Sequence, residues 1–242
     1  MHRSRLLLAI GSLCLLVFLP SCSEKLSKQT GLTDADLFSR GQKGFAARNY
    51  GDAIEAFQVL IERFPNSPLA AKAQLGLAEA RMENRDDVEA EVAYDDFLRL
   101  YPADENVPYA LYRKGELLAR QAHGPGRDQT KALEAIKALN QVLEKNPKGP
   151  YVEKAAAKTR ELRNRLAEHE ERVVSHYLAR KQYVSAEARA RRTLSEYPES
   201  GAVPSLLSLL AEALDKQDKK AEAAEVRKSL AEKYPGAGGR KR

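Results

Sequence analysis

Few side chains in this 242-residue chain have types and spacings that could do chemistry. His123 lies in the glycine–proline stretch "AHGPGRDQT", and His169 and His176 share one predicted helix. Seven residues are two helical turns, about 10 Å of rise, which is too far for the pair to hold one metal ion. "GAGG" at 236–239 follows no strand and opens no helix, so it lacks the setting of a phosphate-cradling loop. Nothing orders a serine with a histidine and an acid. These residues point away from an enzyme. The remaining reactive groups are two thiols, Cys14 and Cys22. If the first of them is cleaved away, the other stands alone and no internal disulfide can form.

Cys22 ends a three-part pattern: basic His2, Arg3 and Arg5, an apolar run from Leu6 to Leu19, then small residues. That order marks a secretory signal, and the run is shorter than the roughly 20 residues of a membrane-spanning helix. The stretch "LPSC" resembles a bacterial lipobox, with Leu19 three before the cysteine and Ser21 just before it. Cys14 fits less well, because bulky Leu13 stands where a small residue is wanted. The resemblance implies that 1–21 are removed and that Cys22 becomes the first residue and carries a covalent lipid. No other cofactor is implied. Acyl chains anchor through buried methylenes, at about 0.8 kcal/mol each. Ser23 stands where an aspartate often signals inner-membrane retention. An outer-membrane anchor on the periplasmic side of a Gram-negative bacterium is therefore expected.

The elements behind this anchor are helical. A linker to residue 33 is followed by alanine-rich segments ending in "RFP" (63–65), "LYP" (100–102), "KNP" (145–147), "EYP" (196–198) and "KYP" (233–235). Proline cannot continue a helix and disfavours helix in the residue before it. Twelve residues before each proline stands an alanine: Ala53, Ala90, Ala135, Ala186 and Ala223. A small residue at one fixed place lets a neighbouring helix approach closely. The unit approximates the 34-residue tetratricopeptide period, best seen in Leu37, Gly41, Tyr50, Ala53, Phe57 and Pro65. Asp52 is the expected cap of the helix at that turn, and Asp128 the start of a helix after the 122–130 loop. No glycine or proline interrupts 151–180, which predicts one long helix. The fold expected is all-α, a superhelical array of about five tetratricopeptide-like helix pairs. Repeats 1–3 would span 34–146, repeats 4–5 would span 147–235, and 236–242 would form a disordered basic tail.

Such an array leaves a groove lined by first helices, which suits an extended peptide with aromatic ends. Phe38, Phe45, Leu75, Met82, Tyr109 and Tyr112 fall on or near it. Without residues 1–21 the chain has 38 basic and 34 acidic side chains, and three of the basic ones are the terminal "RKR". The folded part is thus nearly neutral, which excludes a nucleic-acid partner despite the sequence pI near 9.2. Charge is nonetheless uneven. Eight acids face two arginines over 79–96, while eleven Lys or Arg face six Glu over 151–195, and this hints at different partners for the two halves.

The stretch "ELRNRLAEHEERVVSHYLARKQYVSAEARARRTLSEYP" (161–198) resembles the fourth repeat of the BamD family of outer-membrane assembly lipoproteins. "RFPNSPLAAKAQLGLAEA" (63–80) and "RDQT" (127–130) are similar to the same family. The resemblance implies a non-enzymatic scaffold of the machinery that inserts β-barrel proteins. Its implied partners are a BamA-type barrel subunit, other assembly lipoproteins and unfolded outer-membrane proteins. It implies that the C-terminal repeats bind the barrel subunit, with Arg189 at the position of an ionic contact. It also implies that the N-terminal repeats bind the aromatic C-terminal signals of client proteins, with Phe64 at a position where relatives carry tyrosine. Stacking would survive that exchange and a hydroxyl hydrogen bond would not. The "AHGPGRDQT" loop is shorter than in some relatives, so accessory lipoproteins touching it would be absent or bound differently. Another tetratricopeptide lipoprotein, such as a pilus-assembly pilotin or a cell-wall coordinating factor, would share the anchor and the repeats without requiring the 161–198 block.

Overall fold

A computed structural model describes residues 29–122, 124 and 127–236. The signal segment 1–21, Cys22 with the linker up to residue 28, His123 and residues 237–242 of the tail lie outside the described residues.

Among the described residues there are ten α-helices and no strand. They are α1 (Asp34–Ala46), α2 (Tyr50–Arg63), α3 (Ala70–Glu83), α4 (Asp87–Leu100), α5 (Val107–Gln121), α6 (Thr130–Lys145), α7 (Val152–Ala179), α8 (Tyr183–Glu196), α9 (Val203–Asp215) and α10 (Lys220–Lys233). Each packs on the next, which gives the expected all-α array of five tetratricopeptide-like pairs. First helices also touch across repeats, α1 on α3, α5 on α7 and α7 on α9. The α3–α5 junction is the loosest of the four.

Every second helix stops where the prolines predict. The residue before each proline is the C-cap, and all five have left helical geometry: Phe64 (φ −128°, ψ 56°), Tyr101 (−126°, 55°), Asn146 (−146°, 77°), Tyr197 (−129°, 57°) and Tyr234 (−134°, 63°). Proline's ring clashes with a helical predecessor, so the same local cause ends all five. First helices end differently. Arg48, Arg85, Lys181 and Asp218 adopt left-handed backbone (φ 58°, 69°, 59° and 63°) at the turns of repeats 1, 2, 4 and 5. The next amide then reaches back five residues, as in Asn49 N–H to the Gly44 carbonyl at 2.8 Å and Gln182 N–H to the Tyr177 carbonyl at 2.9 Å. Glycine is usual at such a position, and none of these four is glycine.

The five alanines are all fully buried. Their small side chains admit close neighbours: a Cβ at Gly44 would come within 2.9 Å of the Ala53 backbone nitrogen. Phe57 sits between α1 and α3, its ring directly over Gly41 and Gly76, where a Cβ would meet it at 2.4 and 2.8 Å. One capping detail differs from expectation. The α2 cap is Asn49, whose side chain accepts from Asp52 N–H at 3.4 Å, while the Asp52 carboxylate pairs with Arg40 at 2.7 Å. Thr33 caps α1 in a reciprocal box with Asp36. Asp128 does hold the start of α6, accepting from the Thr130 amide at 3.0 Å.

The long helix predicted over the fourth repeat is α7, with 28 residues and thus a length of about 42 Å. The buried apolar residues form two clusters that meet within it. One runs from Leu37 to Leu166 and the other from Ala167 to Ala223, and half-buried Tyr197 packs against both.

Candidate functional site

The residues assigned to a peptide groove are distributed rather than convergent. Phe38 is half-buried with its ring 5.8 Å from that of Phe57, and Phe45 meets Tyr50 edge-on at 5.6 Å. Phe64 and Leu75 pack partly against the core, Phe64 as the cap of α2. Met82 is only 5% exposed, and its sulfur lies 3.5 Å from the Tyr94 hydroxyl, so it belongs to the packing of repeat 2.

Tyr109 and Tyr112 do come together, through a third ring absent from the sequence reading. Tyr151, just ahead of α7, lies 5.3 Å from Tyr109 and stacks on Tyr112 at 5.4 Å with 19° between ring planes. Beneath this trio is an ionic knot on the first-helix side. Arg113 donates through Nε to both Glu79 oxygens (3.1 and 3.2 Å), through Nη2 to Glu83 at 2.9 Å and through Nη1 to Glu116 at 3.1 Å. The Tyr94 hydroxyl donates to Glu79 from below, and the Tyr112 hydroxyl donates to Glu116 at 2.7 Å. Burial opposes the Arg113 charge, but its bond and charge contact with Glu79 more than compensate and raise its pKa. Tyr109 is pushed up to about 12 by burial and then by the Glu79 charge. Tyr112 is pushed up to about 12 by burial and then by its bond to Glu116. One cation set among three carboxylates leaves the cluster with net negative charge, which disfavours an incoming anion. This part of the face offers tyrosine rings over a negative base, which suits apolar or cationic groups.

The acidic window over 79–96 is thereby largely accounted for within the chain. Besides Glu79 and Glu83, Asp87 pairs with Arg120, Asp95 with Lys114, Asp96 with Arg99, and Glu91 with Lys131 at 2.9 Å. The basic window keeps more of its charge outward. Arg189 on α8 is held by Glu170 on α7, with Nη2 donating to Oε1 at 3.0 Å and Nε to Oε2. Its side chain is 34% exposed, so one edge of the guanidinium faces solvent. Exposed Arg160 and Arg172 on α7, and Arg180 at its C-cap, make no ion pair among the described residues.

Tyr151, Glu79 and Arg113 went unnoticed in the sequence for one reason: their contacts cross repeats. For Glu79 and Arg113 the signal is the period itself, whereas Tyr151 stands 42 and 39 residues after Tyr109 and Tyr112, off that period. Glu79 and Arg113 are 34 residues apart, as are Glu171 and Ser205, Asp87 and Gln121, and Tyr183 and Gln217. Among the described residues there is no cluster of three metal-ligating side chains, and no helix is long and apolar enough to cross a membrane.

A family model described as outer membrane lipoprotein, YfiO, matches residues 31–230. A protein of Neisseria meningitidis serogroup B named outer membrane protein assembly factor BamD is 29% identical over 209 residues, covering 82% of this chain and 78% of that one. The Haemophilus influenzae protein of the same name is 26% identical over 240 residues, covering 94% and 89%. Among solved structures, the TPR2AB domain of yeast Sti1 aligns with 84% of this chain and 78% of its own at 19% identity and a TM-score of 0.48, a likeness too loose to build on.

Proposed function

The chain belongs to the YfiO family of outer membrane lipoproteins, and from that membership we propose that it is a non-enzymatic scaffold in the assembly of outer-membrane β-barrel proteins. The observation that carries this reading is a family match running through all five helix pairs, α1 to α10, joined to relatives named as assembly factors. The array has the build of a docking platform: stability is spread along neighbouring repeats and long faces are left open.

On this reading the C-terminal repeats bind a BamA-type barrel subunit. The outward basic charge of α7 and the solvent edge of Arg189 favour an acidic partner, mainly by speeding encounter and setting orientation. The N-terminal repeats receive the aromatic C-terminal signals of unfolded barrel proteins, with Phe38, Phe45, Phe64 and the Tyr109–Tyr112 pair, completed by Tyr151 of the fourth repeat, as stacking surfaces for the aromatic side chains rather than for the terminal carboxylate. A lipid on Cys22 holds the scaffold on the periplasmic side of the outer membrane beside other assembly lipoproteins.

The test is depletion of the protein together with purification of its complexes from gently solubilised membranes. Outer-membrane β-barrel proteins should fall in level, and a barrel-shaped outer-membrane subunit should co-purify. Normal barrel-protein levels with no such partner would overturn the proposal. Intact-mass measurement of the membrane-extracted chain should show cleavage before Cys22 and the added mass of acyl chains, and Cys22→Ser should abolish that mass.

A further inference from the structure

The length of α7 opens a cleft on the second-helix side of the molecule. The C-terminal end of α6 packs against the first turns of α7, and the end of α8 meets its middle, where Arg163 donates to the Glu196 carbonyl and lies over the Tyr197 ring at 5.1 Å. Between these two ends a stretch of α7 is uncovered. The cleft has a volume of about 390 Å³ and is lined by Leu143, Ala156, Thr159, Arg160, Tyr197 and Pro198. Its size suits one large side chain and the backbone that carries it.

Three features say what would fit there. The walls from Leu143, Ala156, Tyr197 and Pro198 are apolar. The Thr159 hydroxyl oxygen is buried and has no hydrogen-bond partner among the described residues, a costly state unless an incoming group satisfies it. The α7 rim is cationic: Ala156, Arg160 and Arg163 lie at i, i+4 and i+7 on one helix face, and Arg160 is exposed and makes no ion pair among the described residues. Glu199 alone opposes them from the far rim.

We propose that this cleft is a docking site for an extended segment of a partner protein, taking one aromatic or aliphatic side chain between Leu143 and Tyr197 and the acidic residue beside it on Arg160. On occupation the Thr159 side chain turns its hydroxyl from its buried position toward the cleft and donates to a backbone carbonyl of that segment. The site deepens the reading of the C-terminal repeats as a partner-binding unit and rests on it. It is distinct from Arg189, which is held further along α7 by Glu170.

The test uses the purified full chain and two blocked peptides, acetyl-Gly-Phe-Asp-Gly-amide and its lysine counterpart acetyl-Gly-Phe-Lys-Gly-amide, so it needs no barrel subunit and can fail independently of the assembly role. Saturable amide shifts at Thr159, Asn164 and Ser200 are expected with the aspartate peptide, with affinity at least about tenfold above that of the lysine peptide. Arg160→Glu should reverse the preference, and Thr159→Val should weaken the aspartate peptide about fivefold. Arg160→Gln, which removes the charge and leaves a polar side chain, should abolish the preference without reversing it. Absence of saturable shifts at these amides, equal binding of both peptides, or a preference unchanged in both Arg160 variants would each overturn the proposal.

Discussion

Arg113 on α5 and Glu79 on α3 are joined across the loosest first-helix junction of the array, with the Arg113 Nε shared between both oxygens of the carboxylate. Where the helices stand apart, a long bidentate pair spans the distance that apolar side chains fill elsewhere. The pair is only 19% and 13% exposed, so water screens it poorly. Arg113→Ala would leave Glu79, Glu83 and Glu116 facing one another with no counter-ion. The expected cost is about 3 kcal/mol, the low end for breaking a buried pair, read as a lower urea midpoint. A variant as stable as the parent at neutral pH would show that the knot contributes nothing.

The tyrosines over this knot predict a loss of stability in alkali. Folding raises Tyr109 and Tyr112 from an ordinary value of 10.0 to about 12, so the native state favours the neutral phenol. That contribution is fully present below about pH 10 and is lost as the pH rises through about 12. Tyr94, fully buried against Glu79, is raised in the same direction. Tyrosinate absorbance should therefore show a late-titrating class whose appearance coincides with unfolding. Tyr109→Phe should remove one member of that class and soften the alkaline transition. Titration of all tyrosines together near pH 10, with the fold intact, would contradict the buried-phenol account.

Phe57 makes the packing of repeat 1 depend on the absence of two methyl groups. Because a Cβ at Gly41 would lie 2.4 Å from the ring edge, Gly41→Ala must move a ring that Gly76 confines from the other side. Overpacking of this kind costs about 1–3 kcal/mol. The double variant Gly41→Ala/Phe57→Leu should lose less than the sum of the two single changes, because the smaller side chain makes room. Strict additivity in denaturation experiments would mean that the contact is not the cause.

What was legible in the sequence was local. The five helix ends followed from residues adjacent to proline, and the fully buried Ala53, Ala90, Ala135, Ala186 and Ala223 followed from a fixed offset within one helix. The unbroken 151–180 stretch became α7. Signals acting between repeats were missed. The acids of 79–96 stood out as an unbalanced window, yet most meet cations outside it, Arg113, Lys114, Arg120 and Lys131, that a scan of local charge cannot match to them. Arg48, Arg85, Lys181 and Asp218 close the first helices in a conformation for which glycine is the usual sign, so nothing in their identity announced it. Met82 looked like a groove residue from its repeat position, and only the Tyr94 hydroxyl and the neighbouring helix show why it is covered.

The Arg189–Glu170 pair gives a way to separate a structural role from a binding role. Each guanidinium edge serves one purpose: Nε and one Nη hold Glu170, and the remainder faces solvent. Arg189→Glu should cost about 1 kcal/mol in stability, since the pair is partly exposed, and should weaken association with a BamA-type subunit at least about tenfold. Glu170→Arg/Arg189→Glu re-forms the ion pair with its charges exchanged. Stability should return to near the parent value, while binding to an acidic partner should stay weak because a carboxylate now occupies the α8 position. Denaturation and surface binding measured on the same three proteins decide the matter. If the swap restores both, Arg189 acts only by tying α8 to α7. If it restores stability alone, the solvent edge of that guanidinium is the contact the partner reads.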